Sequence, residues 1–206
     1  MMLNILATSI ATILGIIVIF FLFWKFIFLR DPERTIPEGN NIVAPADGRI
    51  IKILEINKNE IEIEKGFGKI KTMTKDIAEN CYVVSIFMSP FNVHINRAPI
   101  EGVVTSVKHT KGKFLNAETT ESTLENEKNE IIIQNKKIKV KTIQIAGLLA
   151  RRIECFVKEN QKVDKGERIG LINLGSQVTI IMPNKVALLV REGQKTKAGE
   201  TVIAEY

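Results

Sequence analysis

The chain has 206 residues, with 29 Lys and Arg against 23 Asp and Glu and a formal charge of +6 at pH 7. A chain of this length can bury a core without disulfides, and its two cysteines, Cys81 and Cys155, form no Cys-x-x-Cys motif. We therefore expect free thiols in a reducing compartment and, since only His94 and His109 occur, no multi-histidine metal site.

The N-terminal segment is apolar, and residues 1–24 carry no charged side chain. As a helix rising about 1.5 Å per residue, the run from Leu3 to Trp24 would span roughly 30 Å of hydrocarbon. A cleaved signal peptide is the alternative, but the basic n-region and small-x-small site of such peptides are missing. Basic residues follow at once, so the positive-inside rule places the rest of the chain in the cytoplasm. We predict a membrane anchor in residues 1–29 of a cell-membrane protein.

A proline-punctuated linker, residues 30–40, separates the anchor from the remainder. Residues 41–206 consist of short β-branched runs between turn residues, which is typical of a mainly β sandwich or barrel. The predicted strands are 42–44, 49–56, 60–64, 81–88, 100–108, 131–133, 137–145, 153–157, 168–172, 177–182, 186–191 and 201–205. The polar stretch Asn116–Glu130 is predicted to be a mobile loop. The alternating Lys137–Lys141 is predicted to be a solvated sheet face, and His109 to lie at the surface.

An internal repeat lies near the C-terminus. Val157–Ile169 aligns with Val190–Val202 at an offset of 33 residues (190 − 157), and each copy holds a strand, a turn with Gly and a strand. This resembles the half-motif of biotinyl and lipoyl carrier domains, which are flattened sandwiches of two such halves. Carriers display a lysine within Met-Lys-Met or Asp-Lys-Ala, whereas Gly175-Ser176 lies between these copies. We expect a hybrid sandwich, with a non-enzymatic membrane-anchored carrier or adaptor as the alternative function.

Gly175 and Ser176 interrupt the apolar, β-branched run Leu171–Pro183. Glycine inside a strand marks a bulge or a close backbone approach, and an edge bulge is the simplest interpretation of the dipeptide. In a strained Gly-Ser bond, however, the serine hydroxyl can attack the preceding carbonyl, giving an ester and then a cut chain. Ser176 is therefore a candidate nucleophile.

Two other stretches provide possible partners for Ser176. Asp47 precedes a glycine at a predicted strand start, where Asp-Gly is also ordinary turn chemistry. His94 lies in the loop Met88–Pro99, and a loop rich in polar side chains after an apolar strand is a common place for function. The same loop carries Asn96 and Arg97. A nucleophile, a base and a carboxylate are thus available, and a hydrolase that uses an uncut Ser176 stays open beside self-cleavage.

Six blocks follow one another along the chain. They are Phe28-Leu-Arg-Asp-Pro-Glu-Arg34, Val43-Ala-Pro-Ala-Asp-Gly48, Met88-Ser-Pro-Phe-Asn-Val-His-Ile-Asn-Arg-Ala-Pro99, Gly112-Lys-Phe-Leu-Asn-Ala117, Glu125-Asn-Glu-Lys-Asn129 and Leu174-Gly-Ser176. In this order, and from the anchor to the C-terminus, they resemble the short pyruvoyl-dependent phosphatidylserine decarboxylases.

The resemblance implies a proenzyme that cuts itself between Gly175 and Ser176. Residues 1–175 would become the β chain and residues 176–206 the α chain of a heterodimer, with a higher oligomer left open. Ser176 would become a pyruvoyl cofactor, with no metal and no nucleic acid involved. The implied reaction converts membrane phosphatidylserine to its ethanolamine counterpart and CO2 through a Schiff base with that group. The ether lipid archaetidylserine is a substrate variant with the same headgroup chemistry.

His94 and Asp47 match the family's histidine and aspartate, and the resemblance implies that they assist self-cleavage or the later proton transfer. Two positions depart from the family's pattern. Arg97 stands where longer relatives carry a second histidine, and Gln177 stands where many carry threonine. Arg97 is a candidate for binding the headgroup phosphate, and Asn96 is a second candidate for binding substrate.

Overall fold

The computed structural model describes residues 2–57, 60–65, 68–112, 124–125, 127–147, 152–173 and 176–206. An N-terminal helix, α1 (Met2–Phe23), continues into one π-helical turn, Trp24–Phe28. The span Thr8–Phe28 has a mean hydropathy of 2.5 and is long and apolar enough to cross a membrane. The helix ends before Pro32, whose ring cannot continue it.

Strands make up most of the remainder, which confirms the predicted mainly β fold behind one apolar helix. In chain order they are β1 (Asn41–Val43), β2 (Gly48–Ile56), β3 (Glu60–Lys65), β4 (Gly68–Met73), β5 (Cys81–Met88), β6 (Ile95–Arg97), β7 (Gly102–Thr110), β8 (Leu124–Glu125), β9 (Lys128–Gln134), β10 (Lys139–Ile145), β11 (Ile153–Cys155), β12 (Lys162–Val163), β13 (Arg168–Ile172), β14 (Ser176–Pro183), β15 (Ala187–Leu188), β16 (Lys195–Thr196) and β17 (Val202–Glu205).

A curled, eight-stranded antiparallel sheet, in the order β12-β7-β9-β10-β14-β5-β2-β16, forms the centre of the fold. Its two halves contain equivalent strands: β2 begins at Gly48 and β7 at Gly102, 54 residues on (102 − 48). Each strand is bulged at the equivalent point, between residues 50 and 52 and between residues 104 and 106. Each also pairs with a strand of the C-terminal repeat, β16 or β12. The two copies of the C-terminal repeat thus pair with equivalent strands of the sheet.

The two repeat turns hold Gly166 and Gly199 at φ +81° and +79°, where other residues are strained. A Cβ at these positions would lie 2.2 Å and 2.9 Å from Cδ1 of Ile36, so the linker packs directly against both turns. The linker, residues 30–40, thus packs against both copies of the C-terminal repeat.

Apolar side chains of the central sheet are buried on both of its faces. Along β5, Val84, Ile86 and Met88 join the larger cluster, while Cys81 and Val83 join a smaller one. Full burial of one such side chain stabilises the fold by about 1.5–3 kcal/mol. Cys81 and Cys155 are both free thiols, as predicted.

The prediction of a loop over Asn116–Glu130 is wrong at its C-terminal end, where β8 and the start of β9 lie. Asn129 and Glu130 are buried there, and each is hydrogen-bonded to another side chain: Gln144 accepts from Nδ2 of Asn129, and Thr72 donates to Glu130. Residues 113–123 and 126 lie outside the described residues.

The prediction of a solvated lysine face fails at Lys141, whose side chain is 1 % exposed. Its ammonium lies 2.5 Å from Asp76 and 3.4 Å from Glu130, and paired charges of this kind can be accommodated inside a protein. His109 is at the surface, as predicted, and faces Glu127 at 3.0 Å.

Candidate active site

Ser176 is the first residue of β14 and pairs with Met88, the last residue of β5. Upstream of it, β13 ends at Ile172, whose amide donates to the carbonyl of His94 at 3.4 Å. Ile172 and Ser176, which flank the segment 173–175, therefore contact the two ends of the 89–94 loop: Ile172 contacts His94, and Ser176 pairs with Met88. Gly175 lies outside the described residues, as does the Ser176 side chain.

His94 is fully buried at the end of that loop. Its Nδ1 lies 2.9 Å from the carbonyl oxygen of Asn92, which can only accept, so Nδ1 carries the proton. Nε2 consequently holds the free lone pair, and it has no hydrogen-bond partner among the described residues. The pKa of His94 is lowered to about 4, chiefly by burial and to a smaller extent by the positive charge of Arg30, while the Asn92 hydrogen bond raises it. The imidazole is thus a neutral base at physiological pH.

A tight turn holds the carbonyl that orients His94. The Asn92 side chain accepts hydrogen bonds from the backbone N–H and the hydroxyl of Ser89, both at 2.8 Å. Pro90 occupies the second position of this turn, where its restricted φ is favourable. The loop sequence therefore fixes the histidine tautomer through local geometry.

The end of helix α1 and the segment after it cover the same loop. The rings of Phe28 and His94 stack with centroids 3.9 Å apart and planes at 26°, and Phe28 is fully buried. Phe23 packs edge-on against Phe91 at 5.7 Å, and Arg30 donates to the carbonyl of Phe91 at 2.6 Å. Helix α1 and the segment after it thus form one wall around His94.

Asp47 lies in the turn before β2, as the sequence predicts, and its carboxylate is bound on two sides. Arg34 donates to both oxygens at 2.9 and 3.0 Å, and the backbone N–H of Ala198 donates to Oδ1 at 2.8 Å. Within the described residues Asp47 makes no hydrogen bond to His94. Asp47 is therefore joined to the anchor-proximal linker and to the C-terminal repeat.

Arg97 is buried beside the same linker, and its guanidinium binds Asp31 at 2.8 Å and the carbonyls of Pro32 and Gly166 at 3.1 and 3.0 Å. Arg168 shares the Asp31 carboxylate. The linker thus holds both Asp47 and Arg97 through ion pairs.

Asn96 belongs to a buried chain of three amides that sequence reasoning did not find as a unit. Asn129 donates to Gln144 at 2.8 Å, Gln144 donates to Asn96 at 2.9 Å, and Asn96 contacts the sulfur of Met88 at 3.8 Å. All three are fully buried, and Met88 is the register partner of Ser176. A Cβ at Gly170 would lie 2.6 Å from Nε2 of Gln144, so the glycine makes room for this amide. In the sequence, this unit is indicated by Gln144, a polar residue between two isoleucines of the buried strand β10.

No group of three or more His, Cys, Asp or Glu side chains suited to a metal ion occurs among the residues that the structure describes. The buried polar side chains described above are instead a histidine, three amides and ion-paired groups.

The comparisons with known proteins identify the family. The family model for phosphatidylserine decarboxylase matches residues 21–204. Three relatives bear the name phosphatidylserine decarboxylase proenzyme: that of Chlorobium limicola is 41% identical over 91% of this chain and 82% of its own, that of Azorhizobium caulinodans 41% over 96% and 80%, and that of Chlorobium phaeobacteroides 45% over 87% and 77%. These matches support an enzyme and give no support to the carrier alternative. The chain therefore belongs to the phosphatidylserine decarboxylase family.

Proposed function

We propose that the chain is a proenzyme that cuts itself between Gly175 and Ser176 and then decarboxylates phosphatidylserine to phosphatidylethanolamine. The observation that carries this proposal is the buried, neutral His94, whose Nε2 is free among the described residues. His94 lies on the 89–94 loop, which follows Met88, the residue of β5 that pairs with Ser176. The names of the relatives, all proenzymes, support the cleavage.

In self-cleavage, Nε2 of His94 takes the proton of the Ser176 hydroxyl as the oxygen attacks the carbonyl carbon of Gly175. The bond from that carbon to the Ser176 nitrogen breaks, and the nitrogen receives the proton, which leaves an ester. Loss of the Cα proton then expels the Gly175 carboxylate, and water replaces the nitrogen of the resulting dehydroalanine as ammonia. The balance requires only water beyond the chain itself.

The surroundings fit a small polar group at position 176. The amides of Asn96, Gln144 and Asn129 are buried beside its register partner, and Oδ1 of Asn129 has no partner within the described residues. A pyruvoyl group there would supply an electron sink for the pair left behind as CO2 departs. His94 would hold or deliver a proton at Nε2, in a site that excludes water.

We propose that the two products of cleavage stay together as a heterodimer. The strand that begins at Ser176 would remain paired on both sides, with β5 over its whole length and with β10 from Gln177 to Ile181. The last strand, β17, pairs with β1 and β15. Because β1 belongs to the β chain and β14 lies inside the central sheet, the α chain is held without the peptide bond.

We propose that α1 attaches the enzyme to the membrane with the β domain in the cytoplasm. The helix is apolar throughout, and Lys25, Arg30 and Arg34 follow it. The substrate stays in the bilayer, so the site needs to reach only its headgroup. The diacyl lipid is the proposed substrate, and the ether lipid archaetidylserine stays a prediction to be tested beside it.

The intact mass of the purified chain tests the proposed function directly. We expect two fragments that meet at 175/176, the smaller without a free N-terminal amine. Borohydride added with phosphatidylserine should increase the mass of the smaller fragment by the reduced lipid adduct, whereas borohydride alone should not. One uncut chain of 206 residues would contradict the proposal.

Arg97 is proposed to bind the headgroup phosphate, which requires its guanidinium to exchange one of its present partners for the lipid. Since a charge-assisted hydrogen bond contributes about 1.5 kcal/mol or more, Arg97→Ala should raise KM about tenfold and leave kcat nearly unchanged. Arg168→Ala is the matched control, because Arg168 shares Asp31 but is more exposed. Steady-state kinetics on mixed micelles provide the measurement. An unchanged KM in Arg97→Ala would restrict Arg97 to holding the linker.

A further inference from the structure

We propose that Phe28, at the membrane-anchor end, is a positioning residue of the active site that fixes the His94 ring and excludes water from it. The proposal rests on the proposed function of His94. The two rings stack at 3.9 Å, and both side chains are fully buried. Phe28 lies 66 residues before His94 (94 − 28), so this contact closes the site with a segment outside the β domain.

The burial of Phe28 is not ordinary core packing. Phe28 is 0 % exposed, yet it belongs to neither of the two buried apolar clusters found among the described residues. Its ring lies between the His94 ring on one side and the Trp24 ring on the other, the latter at 4.5 Å and 11°. Offset stacking of this kind adds about 0.5–1.5 kcal/mol beyond the area that it buries. The Phe28 ring therefore packs against His94 and contributes to neither apolar cluster.

The stack continues into the membrane anchor. Phe20 lies over Trp24 at 6.2 Å, and the three aromatic residues are spaced four apart along the helix, on one face. Phe26 lies on another face of the same turn and is 64 % exposed. The depth and rotation of α1 therefore determine where the Phe28 ring lies. The position of the anchor thus affects the surroundings of the His94 base.

Water exclusion by Phe28 has a measurable consequence for protonation. Among the described residues, three groups act on the His94 ring: Phe28 stacks on its face, Asn92 accepts from Nδ1, and Arg30 is the charged side chain whose field reaches it. From β13, the backbone N–H of Ile172 donates to the carbonyl oxygen of His94. If Phe28 is removed, water can hydrate the imidazolium, and the pKa of His94 should rise from about 4 toward the ordinary 6.5.

Histidine NMR of the full chain in detergent micelles tests this. Only His94 and His109 are present, so two imidazole signals report both rings in one titration. Phe28→Ala should raise the pKa of His94 by one unit or more, whereas Phe28→Leu should keep most of the depression because it still covers the ring. The matched control Phe26→Ala should change neither titration. The signal of the exposed His109 serves as an internal reference in every variant.

The rate of self-cleavage provides the second readout. A base whose pKa rises is protonated at mildly acidic pH, so the acid limb of the cleavage rate should move upward by the same interval in Phe28→Ala and stay in place in Phe26→Ala. If Phe28→Ala does not fold, Phe28→Val leaves a smaller gap and should give a smaller shift of the same sign. An unchanged His94 titration in a folded Phe28→Ala or Phe28→Val variant would overturn the proposal.

The NMR titration separates this inference from the proposed function. A shifted His94 titration in a chain that is never cut, wild type included, would leave Phe28 as the residue that positions and desolvates His94 and would reject the proenzyme. If the chain is cut and active but the pKa of His94 is unchanged in Phe28→Ala, the proenzyme is supported and the role of Phe28 is rejected.

Discussion

Ser176→Ala is expected to leave a single uncut chain with no detectable decarboxylase activity. The substitution removes one hydroxyl, which is both the nucleophile of self-cleavage and the ester oxygen whose elimination leads to the pyruvoyl group. In serine enzymes, the loss of the nucleophile alone costs about 10⁶-fold in rate. Here the loss should be complete, because alanine provides no route to the cofactor. Mass spectrometry and release of labelled CO2 measure the two effects separately.

Ser85→Ala is the matched control for Ser176→Ala. Ser85 lies on the neighbouring strand β5, is buried, and bonds through its hydroxyl to Thr179 of β14 at 3.0 Å. Its loss should reduce the free energy of unfolding by about 1 kcal/mol while the chain is still cut fully. A cut and active Ser176→Ala chain would place the cleavage elsewhere and remove the basis of the proposed function. Ser176→Cys should still be cut, since it keeps a nucleophile.

Local patterns in the sequence predict the strands well where burial and β-propensity agree. The predicted run 81–88 is β5, and the predicted run 168–172 is β13. Periodicity missed β6, which lies within a polar loop, because its pairing with β13 is a long-range contact. The repeat of Ala44-Pro-Ala-Asp-Gly48 as Ala98-Pro-Ile-Glu-Gly102 was visible in the sequence and would have predicted the two equivalent halves of the sheet.

The linker shows why the site was harder to predict than the fold. Its prolines correctly indicate an end to the helix, but nothing in its local pattern indicates that Asp31 and Arg34 bind side chains far along the chain. The same holds for Phe28, which in sequence is one more apolar residue of the anchor. Such contacts are set by tertiary packing, so composition and periodicity do not reveal them.

Asp47→Asn is expected to block self-cleavage and also to destabilise the uncut chain. Arg34 and Asp47 have side chains only 5 % and 12 % exposed, so removal of the carboxylate charge leaves a buried guanidinium whose next carboxylate, Glu200, is at 3.9 Å. Breaking a buried ion pair in this way costs about 3–5 kcal/mol. If Asp47 assists self-cleavage, its loss should slow cleavage by about 100-fold or more. Denaturant unfolding in a Ser176→Ala background, where every chain is uncut, measures the first effect alone.

A second substitution distinguishes a structural from a functional role of Asp47. Arg34→Met in the Asp47→Asn chain removes the buried charge, and an apolar replacement of a buried pair is often neutral for stability. If Asp47 takes part in self-cleavage, the double variant regains its free energy of unfolding and remains uncut. Recovery of cleavage together with stability would instead restrict Asp47 to holding Arg34. Asp76→Asn breaks the ion pair of the buried Lys141 away from the linker, so it should cost stability yet leave cleavage complete. Loss of cleavage in Asp76→Asn would mean that low stability alone stops the reaction.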